Sequence, residues 1–212
     1  MSIIYQPTKR KPQDSFAALV RLYANFQQGF INEINGTTAS VSGATRITAT
    51  GPQGDQEFVV NMSTGSDTLT FPASENVTGL NDAPFTFECW INKTGDGIIY
   101  NNTNYIPYAT RGISIATNRI TVYTGGGGSM SFDLTPFLNN VWTHFAVVQA
   151  PGGGITVFVN GSIAGSSGIS VLATADSHWR IGSFPSVGWS FTGQISRVRL
   201  TAAARYSAPF TP

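Results

Sequence analysis

From about Met62 onward, hydrophobic and polar residues alternate in short runs separated by turn residues, and no run has a helical period. In FTFECWI, Phe85, Phe87, Cys89 and Ile91 point one way and Thr86, Glu88 and Trp90 the other, as the period of a strand requires. DTLTFP, GISIAT, RITVYTG and SMSFDLT read as further short strands, and WTHFAVVQA and ITVFVNG follow on either side of a PGGG turn. Asn160-Gly161 gives the next reversal, because both residues accept positive φ. HWRIGS, WSFTG and QISRVRL complete the set. Many short strands with turns between them predict an all-β, antiparallel sandwich or jelly roll, and the segments vary too much for a propeller or solenoid.

The first 60 residues read differently. Pro7 and Pro12 keep the start extended. Phe16, Leu19, Tyr23, Phe26 and Phe30 then recur at spacings of three and four, which predicts one amphipathic helix over about 15–35, capped by Asp14 or Ser15 and ended near Gly36. Its apolar stripe needs a partner: the home β domain, which is preferred, copies of itself, or another protein. ASVSGATRITATG and QEFVVNM read as short strands around a GPQGD turn. The expected division is therefore residues 1–60 as an attachment or oligomerisation segment and 61–212 as the sandwich.

Composition narrows the function classes. Hydrophobic residues make up 41% of the 212 residues, enough for a sizeable core, while charged residues are only 11%, against about a quarter in ordinary domains. With a formal net charge of +1, there is no field to draw the chain to nucleic acid or an anionic membrane. Lys9-Arg10-Lys11 is read as a solvated run. The single cysteine, Cys89, excludes an intrachain disulfide and reads as a small buried hydrophobe. No stretch is apolar enough for a signal peptide core or a membrane span, so folding in a cytosol is expected.

The order of motifs carries a resemblance. FTFECWI, then VWTHFAVVQAPGGGITVFVNGSIAG, then WRIGSF, then FTGQISRVRL with a closing ARY and FTP, resembles the laminin-G-like, concanavalin A-like lectin/glucanase superfamily, over roughly residues 60–212. It is most similar to the branch found in bacteriophage virion proteins and bacterial surface proteins. The resemblance implies two curved antiparallel sheets, with QISRVRL as the last strand. Within that strand Val198 and Leu200 share a face and Ile195 is out of phase, which predicts a bulge or an edge crossing. AAARYSAPFTP would then return across the fold, pinned by Tyr206 and Phe210. The resemblance further implies a non-enzymatic virion component, a capsid decoration protein or a tail appendage, folded in the host cytoplasm and displayed on the particle. Its expected partners are other virion proteins, host-surface glycans and copies of itself, without nucleic acid or membrane insertion. A stand-alone carbohydrate-binding module and, behind it, a glycoside hydrolase or lyase are the alternatives.

The candidate chemistry is sparse. Retaining glycosidases of this fold pair two carboxylates, often as Glu-x-Asp-x-x-Glu, a spacing missing here. Glu88 and Trp90 share a strand face and are candidates to grip a sugar; the preferred alternative is that Glu88 pairs with a cross-strand Arg or hydroxyl and Trp90 packs under a loop. Tyr100, Tyr105 and Tyr108, in an Asn/Thr-rich stretch, and Trp189 are further glycan candidates, with filling of the sandwich ends as the equal alternative. His144 and His178, the only histidines, suit neither a hydrolase triad nor a zinc site. No cofactor is expected; calcium is the alternative, on Asp82, Asp96 or Asp176 from separate loops, although they form no dense ligand run.

Overall fold

The alternating runs pair into two antiparallel sheets in the computed structural model, which describes residues 14–72, 83–101, 111–125, 128–133, 139–169, 179–182 and 191–212. The first sheet has the order β13 (Ser162–Ser167), β12 (Ile155–Val159), β11 (Trp142–Gln149), β6 (Phe85–Gly95), β15 (Thr192–Thr201), β4 (Gln56–Met62) and β3 (Thr45–Thr50), with β1 (Val20–Ala24) also on β15. The second has the order β10 (Gly128–Asp133), β9 (Arg119–Gly125), β8 (Arg111–Ala116), β7 (Gly97–Asn101), β14 (Trp179–Gly182), β5 (Thr68–Phe71) and β2 (Ser40–Ser42). Residues of both sheets join one hydrophobic core, in which Phe71, Phe87, Phe145 and Phe191 are fully buried. Each such side chain contributes about 1.5–3 kcal/mol by leaving water. The inward residues of β6 are those expected: Phe85, Phe87, Cys89 and Ile91 all lie in this core. Among the described residues no helix is long and apolar enough to cross a membrane.

The helix expected over 15–35 does not form. Ala17–Leu19 makes one 3-10 turn, and Val20–Ala24 is a strand whose burial alternates. The reason is a partner distant in sequence: β1 pairs antiparallel with β15, Leu22 opposite Leu200 and Tyr23 opposite Arg199. That pairing satisfies the backbone, and the period-two set Val20, Leu22 and Ala24 goes into the interior. The five-residue stripe is broken up accordingly. Phe26 is buried, Phe16, Tyr23 and Phe30 are half-buried, and Leu19 is exposed. Nor do the strands before residue 60 stand apart. β1, β3 and β4 extend the first sheet and β2 the second.

The bulge expected in β15 is present. The register of β15 against β6 shifts between Ser196 and Arg199, and Arg197 has φ 52°. Before the bulge β15 pairs with β4, through Gly193–Ile195; after it, with β1, through Val198–Thr201. β4 is thus released from β15 part-way along its length. The tip of the β3–β4 hairpin is then held over the outer face of the first sheet, where Trp142 Nε1–H donates to the Thr50 carbonyl at 2.8 Å and Ser196 Oγ–H donates to Glu57 at 2.6 Å.

The C-terminal segment crosses the same outer face. Thr86 Oγ1 donates to the Ala203 carbonyl (2.8 Å) and accepts the Arg205 N–H (2.9 Å). Tyr206 and Phe210 stack at 3.6 Å between ring centres and pack with Ala204 over Ala146, Val148 and Phe158, a second small core. The Phe210 N–H donates to the carbonyl of Gly161, in the β12–β13 turn. Asn160 and Gly161 take φ 47° and 78° there, as the Asn-Gly signal predicted.

Gly161 is required twice, for its left-handed backbone and because a Cβ there would overlap the Phe210 carbonyl oxygen. Gly152 has the same backbone, φ 79°, and open space around it. Gly152→Ala is therefore expected to cost about 1 kcal/mol from backbone strain alone. Gly161→Ala is expected to cost about 3 kcal/mol, because the tail must also shift. Equal losses in denaturant titrations of the two variants would contradict the tail's docking.

Candidate functional site

Strand register places the polar residues of the outer face in rows. His144, Trp90 and Ser196 lie side by side on β11, β6 and β15; the next row is Ala146, Glu88, Arg199 and Tyr23. Two covers rise above them, the β3–β4 tip on one side and the C-terminal segment on the other. Between them is a groove of about 340 Å³, with Trp90, His144, Arg197 and Arg199 in its lining, Gln53 from the hairpin tip, and Thr211 and Pro212 from the tail.

Glu88 lies at the base of this groove, 2% exposed. Arg199 Nε–H donates to its Oε1 at 2.5 Å, and the Tyr206 hydroxyl donates to Oε2 at 2.7 Å. His144 Nε2 is 3.5 Å from Oε2, and Arg205 Nε is 3.2 Å from Oε1. Asp14 closes the set from the other side, 2.9 Å from Arg205 and 3.5 Å from Arg199. Burial by itself would raise the pKa of Glu88; the hydrogen bond from His144, the charge and hydrogen bond of Arg199, and the Tyr206 hydroxyl outweigh it and hold the carboxyl at about 2. Burial, with Glu88 beside it, raises the pKa of Tyr206, so the phenol stays a donor.

A second ion pair fixes the far side. Arg197, turned by the bulge, donates from Nε and Nη2 to Glu57 Oε2 at 3.2 and 2.6 Å. Glu57 in turn packs on Gly51, where a Cβ would lie 2.5 Å from the Glu57 side chain. Trp90 is half-buried between these two clusters, edge-on to His144 at 5.2 Å. An aromatic ring flanked by amide, hydroxyl and guanidinium donors can stack on a sugar ring and hydrogen-bond its hydroxyls. Along the same face the row Asn92, Gln194 and Asn61 lines a smaller hollow of about 290 Å³.

The expected site residues separate in the structure. Glu88 and Trp90 come together with Tyr23, which had been expected on the attachment helix. Glu88 pairs with the cross-strand Arg199 and is a structural ion rather than an open ligand contact. Tyr100 is corrected: it is 8% exposed and stacks on Phe87 at 5.0 Å inside the core, because β7 turns it inward. Tyr105, Tyr108 and Trp189 lie outside the described residues, as do His178, Asp82 and Asp176. Asp96, the remaining calcium candidate, accepts from Lys93 Nζ at 2.6 Å and from Thr117 at 3.0 and 3.1 Å. Among the described residues no three His, Cys, Asp or Glu side chains cluster as metal ligands. Burial raises the pKa of the Cys89 thiol well above its ordinary value, so it is no nucleophile. Sequence reading missed Gln53, Arg197, Thr211 and Pro212. The out-of-phase Ile195 was the one local signal of where the groove would open.

The chain belongs to the concanavalin A-like lectin/glucanases superfamily: the Laminin_G_3 family model matches residues 63–208. Comparison with curated protein sequences gives no match. Among solved structures, the chain is similar to domain 4 of AbnA, an extracellular arabinanase from Geobacillus stearothermophilus, solved in complex with arabinotriose. That likeness has 14% identity and a TM-score of 0.67, and covers 87% of this chain and 93% of that one. It is also similar to botulinum neurotoxin type C, whose cell entry depends on two ganglioside molecules (14%, TM-score 0.61, 89% and 49% covered). The botulinum neurotoxin serotype G binding domain is a third (13%, TM-score 0.62, 87% and 48%). The chain spans about half the length of the neurotoxin chains, and likeness at these identities shows the fold alone.

The depressed pKa of Glu88 makes its ion pairs a source of stability above the unfolded value of 4.5, lost as the pH falls through about 2. The loss between those limits is expected to be about 3 kcal/mol. Glu88→Gln is expected to be less stable than the parent at pH 7 by roughly that amount, with the gap closing toward pH 2. A gap that stays constant with pH, in urea titrations, would contradict the arrangement.

Proposed function

We propose that this protein is a non-catalytic, glycan-binding β-sandwich carried on a bacteriophage virion, and that the glycan lies in the groove over Trp90. The observation that carries the binding site is Trp90 itself, a half-buried indole on the outer sheet face, with two separate segments held up as walls beside it. The non-catalytic reading is supported by Glu88. Its carboxylate is saturated by Arg199 and Tyr206 and held ionised with a pKa of about 2, so it is no general acid near neutral pH. The virion reading rests on the ordered motifs from FTFECWI to FTP and on a surface rich in Gly, Ser and Thr and poor in charge. On this account the partners are capsid or tail proteins, further copies of the chain and host-surface glycans.

Glycan-array screening of the purified chain followed by calorimetry is expected to find a ligand whose affinity falls about tenfold or more in Trp90→Ala, with an unchanged far-ultraviolet spectrum. Immunogold labelling of purified particles is expected to place the protein on the capsid or tail. An unaltered affinity in Trp90→Ala would remove the groove as the site. A glycan-binding protein absent from particles would instead favour the stand-alone carbohydrate-binding module.

A further inference from the structure

Resting on the glycan-binding site just described, we infer that the groove selects uncharged sugars and excludes acidic ones. Among the described residues, each guanidinium lining it has a carboxylate partner. Arg197 is 2.6 Å from Glu57, with Asp55 at 4.0 Å; Arg199 is 2.5 Å from Glu88; Arg205 is 2.9 Å from Asp14 and 3.2 Å from Glu88. Three guanidinium groups thus face four carboxylates. An incoming carboxylate would meet guanidinium groups that already have carboxylate partners, and Glu88, itself in the lining, would repel it. Displacing one of them is no remedy. Glu57 and Glu88 are 7% and 2% exposed, so breaking their pairs would leave a buried, uncompensated charge.

Hydroxyl groups meet a different surface. Glu57 takes the Nε and Nη2 donors of Arg197, and a guanidinium has five N–H donors in all. Arg197 lines the groove together with Gln53 and Tyr23, which bring an amide and a phenol to it. These groups match neutral, donor-and-acceptor hydroxyls beside a ring stacked on Trp90. The charges serve to aim fixed donors, and their fields largely cancel at the ligand.

The test uses the full chain against a panel pairing neutral glycans with their uronic- or sialic-acid-bearing counterparts, with affinities measured at about 50 mM and about 500 mM salt. Neutral glycans are expected to be retained, with affinity changing less than about twofold across that range. Their acidic counterparts are expected to bind at least about tenfold more weakly. Glu57→Gln, which frees the Arg197 charge, is expected to narrow that gap. Where that variant does not fold, the salt series on the parent chain still decides. Preferred binding of acidic glycans, weakened about tenfold by salt, would overturn the inference and leave the glycan site standing. No binding anywhere in the panel would overturn both.

Discussion

The carboxylate of Glu88 is buried on the outside of a sheet, where an ion would normally be left to water. Taking it out of solvent costs several kcal/mol, and the structure offsets that cost from three directions. Arg199 reaches it from the neighbouring strand, Tyr206 and Arg205 from the C-terminal segment, and His144 from β11. Only the first and last of these belong to the strands beside it. The other two require the chain to come back over the face after its last strand. The tail is therefore tied to the sheet by a charge that cannot be left alone, and the stacked pair Tyr206–Phe210 over Phe158 adds an apolar seal.

The groove follows from the same constraint. A tail fixed over Glu88 makes one wall. The other wall exists because β15 bulges at Arg197, ends its pairing with β4, and lets the β3–β4 tip lean over the sheet. Arg197 then holds that tip through Glu57, and Trp142 holds it through the Thr50 carbonyl. Trp90 lies between the two fixed walls, with Gln53 above it on one side and Thr211 and Pro212 on the other. Walls held by these contacts leave less motion to be lost on binding a ligand.

Much of the sandwich was legible in the sequence because its signals are local. Period-two alternation gave the faces of β6, Asn160-Gly161 gave the β12–β13 turn, and the phase slip at Ile195 gave the bulge. The error over 15–35 has a physical cause. Phe16, Leu19, Tyr23, Phe26 and Phe30 fit a helical spacing, while Val20, Leu22 and Ala24 fit a strand. The deciding partner, β15, lies about 180 residues away, where no local pattern can report it. The site was half legible for the same reason. Glu88 and Trp90 stand out within one strand, but the walls over them are non-local contacts, and Tyr100 shows only its aromatic character in sequence, not that β7 turns it inward.

The central claim is that the face organised around Glu88 is where a ligand binds. The most direct measurement is two-dimensional NMR of the isotope-labelled chain titrated with the strongest glycan found by screening. The account predicts that the Trp90 indole N–H, the Arg197 guanidinium and the Gln53 amide shift together and saturably, while the backbone signals of β8–β10 on the opposite sheet stay in place. Shifts confined to the opposite sheet or to its loops, with Trp90 unmoved, would contradict it.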